Sequence, residues 1–305
     1  IHSIGSASPG NAAAIAVGLG VPVALVLEAI YRAPSPLVDG LTEPVGMQMR
    51  DLLQGLGCDV TLSRQSAPPP PRAALFDVAL HVTEASRFGD ITAALAAFLG
   101  TSQDDATRLV ATPPGIVLGK VSRATVEALD ERLGPGVALT ASDPRTAHYD
   151  VFLGACDATT RARVLADLRR RGMTPRAEGG CILSGLTRTE ADGLWSAHHR
   201  VEELRVVNRD FLRFDLVLTG GAPSPAATRA LVEVAGIPEH VVARLFDAGD
   251  ITVMEAVPNA RMLPALERLT VSGLEIRADL VSFQHLGLQI TEAPHPRAVG
   301  DALHA

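Results

Sequence analysis

Three short strings recur along this chain. FDVAL occupies residues 76–80, YDVFL 149–153 and FDLVL 214–218. Each reads aromatic, Asp, branched apolar, any residue, Leu. The alternation suits a strand with one buried face. The starts lie 73 and 65 residues apart, a spacing that predicts tandem small domains.

The segments behind the strings recur too. After FDVAL come DITAALAAFLG, with apolar residues at helical spacing and a terminal Gly, and TSQDDATRLVATPP. Thr101 or Ser102 caps the second of these helices, Asp104 and Asp105 occupy its first turn, and Pro113 ends it. GIVLGKV reads as a strand, SRATVEALDERLG as a helix capped by Ser122, and VALTA as a closing strand. The order is strand, helix, helix, strand, helix, strand. FDLVL opens the same order, although Pro264 must stand in the first turn of the helix over 259–273 or kink it. YDVFL opens a shorter version: the helix over 159–172 is succeeded by MTPRAEGG, which replaces the second helix.

The first sixty residues fall into the same register. IHSIGS, LVDGL and CDVTL (58–62) read as strands, and TEPVGMQMRDLLQGLG (42–57) as a helix capped by Thr42. Between them lies AAAIAVGLGVPVALVLEAIY (12–31), a run without charge as far as Glu28. A spanning helix needs about 20 apolar residues, and a signal peptide needs a basic leader. No Lys or Arg precedes Arg32, and Gly18, Gly20 and Pro22 punctuate the run. It therefore reads as two short helices broken at Gly20-Val21-Pro22. The run is more apolar than its counterpart in the second unit, which carries Asp104, Asp105 and Arg108. That excess makes Val23 and Leu27 candidate partner-binding residues.

Composition narrows the class. At 305 residues the chain exceeds one typical domain of roughly 100–150. Being 47% hydrophobic, it has the apolar matter for several cores. A net charge of −7 argues against a general nucleic-acid binder, which needs a basic surface. Cys58, Cys156 and Cys181 are too scattered for a disulfide framework or a zinc pattern. A reduced, cytoplasmic compartment fits, the cytoplasmic face of a membrane complex included.

With FDVAL, the helix carrying Ile91, Ala94 and Leu95, the helix carrying Ala106, Leu109 and Val110 with prolines behind it, and Val121-Ser122 opening a helix with Ala128, Leu129 and Leu133, the second unit resembles a known family. It is similar to the C-terminal domain of the bacterial ribosomal large-subunit stalk protein. The fourth unit shares the pattern less closely, and the first and third more weakly. The resemblance implies an α/β sandwich of three antiparallel strands covered by helices, and it implies protein binding. In that family a basic helical face recruits translational GTPases; the matching helices here carry one basic residue, Arg108.

The expected architecture is α/β: four tandem β-α-α-β-α-β sandwich modules, each a three-stranded antiparallel sheet covered by helices, the third lacking one helix. Module one spans 1–64, module two 76–142, module three 149–208 and module four 212–285. A Pro-rich linker covers 65–75, where four consecutive prolines favour an extended spacer, and a tail covers 286–305.

Few residues here carry chemistry. SIGSASPGNAA and TGGAPSP are Gly-rich turns into helices that match neither phosphate-binding fingerprint. His198-His199 beside Trp195 lacks the ligand spacing of a metal site. The shared Asp77, Asp150 and Asp215 are three equal positions, which fits hydrogen bonding to a neighbouring turn better than catalysis. The one dense basic cluster is Arg161, Arg163, Arg169, Arg170, Arg171 and Arg176, a candidate docking patch in an otherwise acidic chain.

No catalytic residue, cofactor site or metal site is expected. The leading reading is a non-enzymatic binding or scaffold protein, an accessory or adaptor subunit of a larger assembly whose partners are other protein subunits, with no specific nucleic acid and no transmembrane segment. Two alternatives stand beside it. One is an enzyme that holds a phosphorylated ligand between modules. The other is a factor that meets ribosomes or an anionic surface through the unit-three arginines.

Overall fold

The computed structural model describes residues 1–7, 9–63, 74–176, 180–247 and 249–283. The linker expected at 65–75 and the tail expected at 286–305 lie largely outside this set; Leu75 already belongs to a strand.

Three three-stranded antiparallel sheets form among the described residues. The first holds β1 (Leu75–Val82), β2 (Ile116–Ser122) and β3 (Val137–Ser142), in the order β2-β1-β3. The second holds β4 (Tyr149–Leu153), β5 (Cys181–Leu186) and β6 (Leu204–Asn208), in the order β5-β4-β6. The third holds β7 (Arg213–Gly221), β8 (Ile251–Pro258) and β9 (Leu274–Leu280), in the order β8-β7-β9. Each recurring string is thus the central strand of its sheet. Its alternate residues face a helical layer: Val78 and Leu80, Val151 and Leu153, and Leu216 and Leu218 are all buried in helix-covered cores.

Helices α1 (Pro9–Leu19), α2 (Val23–Tyr31) and α3 (Glu43–Gly55) belong to the N-terminal unit. Helices α4 (Phe88–Leu99), α5 (Gln103–Ala111) and α6 (Arg123–Leu133) cover the first sheet, and α7 (Ala158–Arg170) and α8 (Arg188–His198) the second. Helices α9 (Pro225–Ala235), α10 (Glu239–Leu245) and α11 (Asn259–Val271) cover the third. Their ends obey local chemistry. Ser102, Ser122 and Ser224 each accept an amide N–H from the first turn they cap, and Thr187 with Glu190 forms a reciprocal capping box. Gly100 and Gly236 close α4 and α9 in the left-handed conformation that a side chain would strain. As expected, no helix stands between α7 and β5 among the described residues.

The N-terminal unit departs from expectation. IHSIGS, LVDGL and CDVTL form no regular strands; one antiparallel bridge joins Ser3 to Asp59. Around it, His2 N donates to Asp59 O at 2.8 Å, Ser6 N to Gly57 O at 2.9 Å and Ser35 N to Ile1 O at 3.0 Å. Pairing stops there for a backbone reason. Pro34 and Pro36 flank Ser35 and have no N–H to extend a ladder, while Gly5 and Gly40 turn the chain at φ 56° and 70°. Thr42 precedes α3 as expected, but its side chain caps nothing.

Of the two positions open to Pro264, the first turn is excluded. Pro264 stands inside α11, beyond the first turn, so the Ala260 carbonyl lacks the donor it would otherwise meet one turn later.

The apolar run over 12–31 folds as two short helices. Gly20 at φ 66° and Pro22 at the N-cap of α2 separate them. Their inner residues Ile15, Ala16, Val26 and Ile30 are buried, and their core is continuous with that of the first sheet through Leu95, Phe98 and Leu129. Tyr31 Oη donates to Phe98 O at 3.3 Å, and Thr125 Oγ1 donates to Tyr31 O at 2.9 Å. Arg132 Nη2 donates to the carbonyls of Gly5 and Ala7, each at 2.6 Å, with its guanidinium over the Phe98 ring. Much of the surface that covers the run is therefore this chain's own second unit.

A 3-10 turn at Arg209–Phe211 joins the remaining units. Asn208 Nδ2 donates to Ser142 Oγ at 2.9 Å, and Ser142 Oγ donates to Asp210 Oδ2 at 2.5 Å, tying the second sheet to the first. Phe152, Val207 and Leu212 pack with Phe214, Leu280 and Phe283, so the second sheet's outer face rests on the third. Both faces of β4 are consequently buried.

Candidate functional site

The recurring carboxylates share one task. Asp77 Oδ1 accepts the Lys120 N–H at 3.0 Å, Asp150 Oδ1 the Gly185 N–H at 2.9 Å and Asp215 Oδ1 the Ala256 N–H at 2.7 Å. Each acceptor lies on a central strand and each donor in a bulge of the neighbouring edge strand, where the register slips between Phe76 and Val78, Tyr149 and Val151, and Phe214 and Leu216. Lys120, Gly185 and Ala256 all have positive φ, at 57°, 78° and 46°. A bulge leaves an amide out of the ladder, and the carboxylate takes it up. These residues pin strand register, the structural role expected of them. Of the three bulges, Gly185 alone carries a sequence signal, because Lys120 and Ala256 do not mark a left-handed position.

Guanidinium groups complete two of the three sites. Arg209 forms a fork on Asp150, with Nη2 to Oδ1 at 2.7 Å, and Arg188 of the second sheet's unit approaches Asp77 of the first at 3.8 Å. Arg188 also lies over the Tyr149 ring, as Arg123 lies over Phe76. In both units an Arg at the start of a helix thus stacks on the aromatic residue of the recurring string.

The six arginines sit on α7 and the segment after it. Arg163, Arg169, Arg170, Arg171 and Arg176 are exposed and Arg161 is half-buried. Asp167 reduces the field they make: Arg170 and Arg171 each reach it at 2.7 Å, and His198 Nε2 reaches it at 2.9 Å from α8. Arg171, then His198, hold the Asp167 carboxyl below the usual carboxylate range. His199 instead faces Ser196 O of its own helix at 3.1 Å, so the two histidines point to different partners. Among the described residues no group of three or more His, Cys, Asp or Glu is placed to hold a metal ion. Burial pushes the Cys58 and Cys181 thiols up, away from the thiolate a nucleophile needs.

Val23 and Leu27 separate. Leu27 is half-buried against the shared core of the first two units. Val23 is 40% exposed and Leu25 55% in the first turn of α2, on different sides of the helix, and Val17 is 84% exposed in the last turn of α1. The Gly20-Val21-Pro22 break places these three side chains at one end of the α1–α2 pair. Sequence reasoning misses Leu25 and Val17, because the periodicity of a nine-residue helix inside a uniformly apolar run does not say which face is outward.

No helix of the described residues is long and apolar enough to cross a membrane. Compared with protein-family models, curated proteins and solved structures, the chain matches none of them.

Proposed function

We propose that this chain is a non-enzymatic protein-binding subunit, an adaptor in a larger assembly, built from four modules of one plan of which the first is frayed. The resemblance to the ribosomal stalk C-terminal domain supports the plan, as does the Ser35–Ile1 and His2–Asp59 pairing, which puts the first segment of the N-terminal unit between two others. The observation that carries the reading is the apolar tip formed by Val17, Val23 and Leu25. These side chains remain exposed, whereas Ile15, Ala16, Val26 and Ile30 of the same run are buried in the core shared with the second unit. Exposed apolar residues at one end of a helix pair fit an interaction surface. The recurring aspartates, which would be the first suspects for chemistry, are engaged by backbone amides.

Affinity capture of the full chain from the cells that make it tests this, run in parallel with Val17→Asp and Leu25→Asp together. A stoichiometric protein partner retained by the wild type and lost by the double variant is the expected result. A wild-type chain recovered alone, or a partner held equally by both, overturns the reading.

A further inference from the structure

The units of the first and third sheets and the 3-10 turn before β7 enclose a cleft of about 160 Å³ that no sequence motif predicts. His81 enters it from β1, Val110 from α5, Phe211 from the 3-10 turn, Arg213 from β7, and Val281 and Ser282 from the chain after β9. The walls are mainly apolar, and one cation stands among them. Arg213 is half-buried and donates from Nη1 to Ala256 O at 2.9 Å. Among the described residues it forms no ion pair. Asp215, two residues along the strand, turns Oδ1 to the Ala256 amide and does not line the cleft. Burial accounts for the pull on the Arg213 guanidinium, which lies below its ordinary pKa with no carboxylate among the described residues to restore it. Elsewhere on this chain half-exposed arginines find carboxylates readily, as Arg188 and Arg209 do.

A desolvated guanidinium without a counter-ion is costly, and an apolar pocket with one convergent charge is a small-ligand site in form. The charge sets the ligand. Burial, then the nearby Arg213 charge, holds His81 below its ordinary value of 6.5, so the imidazole is neutral at pH 7 and the cleft offers a single positive charge. A singly charged acid balances it; a phosphate dianion does not. A cavity of about 150 Å³ holds a molecule the size of benzene, so the cleft has room for a short-chain acid.

We propose that this cleft binds a short-chain monocarboxylate, its carboxylate on the Arg213 guanidinium beside His81 and its hydrocarbon body against Val110 and Phe211. The inference is independent of the protein-binding reading, since the apolar tip of α1–α2 contributes nothing to the cleft.

Butyrate titrated into the full chain tests it, with binding heat and the His81 ring proton signal as readouts. That signal is assigned by its loss in His81→Gln. A saturable shift of the His81 signal is expected, together with a binding constant weakened at least tenfold in Arg213→Gln, because a charge-assisted fork is lost. Arg213→Lys retains the charge without the fork and should fall between them. If Arg213→Gln fails to fold, the His81 shift in the wild type and the Arg213→Lys comparison still decide. No saturable shift into the tens of millimolar overturns the proposal. So does equal binding by Arg213→Lys and wild type, or tighter binding of inorganic phosphate than of butyrate.

Discussion

Asp215 Oδ1 accepts the amide N–H of Ala256 at 2.7 Å, while Ala256 holds a φ of 46° that alanine rarely adopts. The carboxylate and the strained residue form one device. A bulge moves the Ala256 amide out of the β7–β8 ladder, and Asp215 gives that amide a partner. Asp215→Ala should cost about 1–3 kcal/mol by leaving the amide unsatisfied. Ala256→Gly should stabilise by about 1 kcal/mol, because glycine relieves the left-handed strain. Hydrogen exchange of the β7–β8 amides measures both, with faster opening in the first variant and slower in the second. The same pair of outcomes is expected for Asp77→Ala and Lys120→Gly on the first sheet.

That device shows how much of the fold is legible in the sequence. The strings FDVAL, YDVFL and FDLVL mark three central strands because a half-buried strand imposes alternation on its own residues. The Asp in each has the structural role its type suggests, but it bonds a strand bulge and not a neighbouring turn, with its partner 43, 35 or 41 residues away, beyond any local pattern. The helices over 12–31 are legible from Gly20 and Pro22. The three N-terminal strands mislead because the repeat register places them, whereas Pro34 and Pro36, lacking N–H groups, stop pairing beside Ser35 and Gly5 turns the chain beyond the Ser3–Asp59 bridge. The cleft at Arg213 is invisible in the sequence, since His81 and Arg213 meet only through the packing of separate sheets.

Arg132 is the clasp between the first two units. Its Nη2 serves the Gly5 and Ala7 carbonyls at 2.6 Å each, and its guanidinium covers Phe98. Arg132→Ala should cost about 1–3 kcal/mol of docking, as bonds to a charged donor do. The readout is local. Amide exchange in α1 and α2 should accelerate while the β7–β9 sheet stays unchanged, and equal acceleration everywhere would refute the clasp.

Tyr31 predicts an alkaline limit. Burial pushes its phenol from 10.0 up to about 12, with Arg132 opposing. The folded chain therefore holds the phenolic proton more tightly than the unfolded chain does. This contribution is fully present below pH 10 and is lost as pH rises from 10 towards 12. Of the two tyrosines, Tyr31 should give an ultraviolet tyrosinate step centred near pH 12 in the wild type, a step missing from Tyr31→Phe. The stability of Tyr31→Phe should fall less steeply than that of the wild type across the same interval.

Asp167 predicts a change in surface field. It binds Arg170, Arg171 and His198 together, so Asp167→Asn should loosen α7 against α8 and raise the positive potential of the exposed arginines. Heparin retention is expected to increase in Asp167→Asn and to decrease in Arg169→Glu with Arg170→Glu. Unchanged retention in both would show that this surface carries no usable charge.

The apolar tip of α1–α2 carries the central claim, and sedimentation velocity in extract from the cells that make the protein tests it most directly. The labelled wild-type chain should sediment as a defined complex heavier than the purified chain, and Val17→Asp with Leu25→Asp should return it to the purified chain's coefficient without loss of helicity. A wild-type chain that sediments in extract as it does when pure would contradict the account.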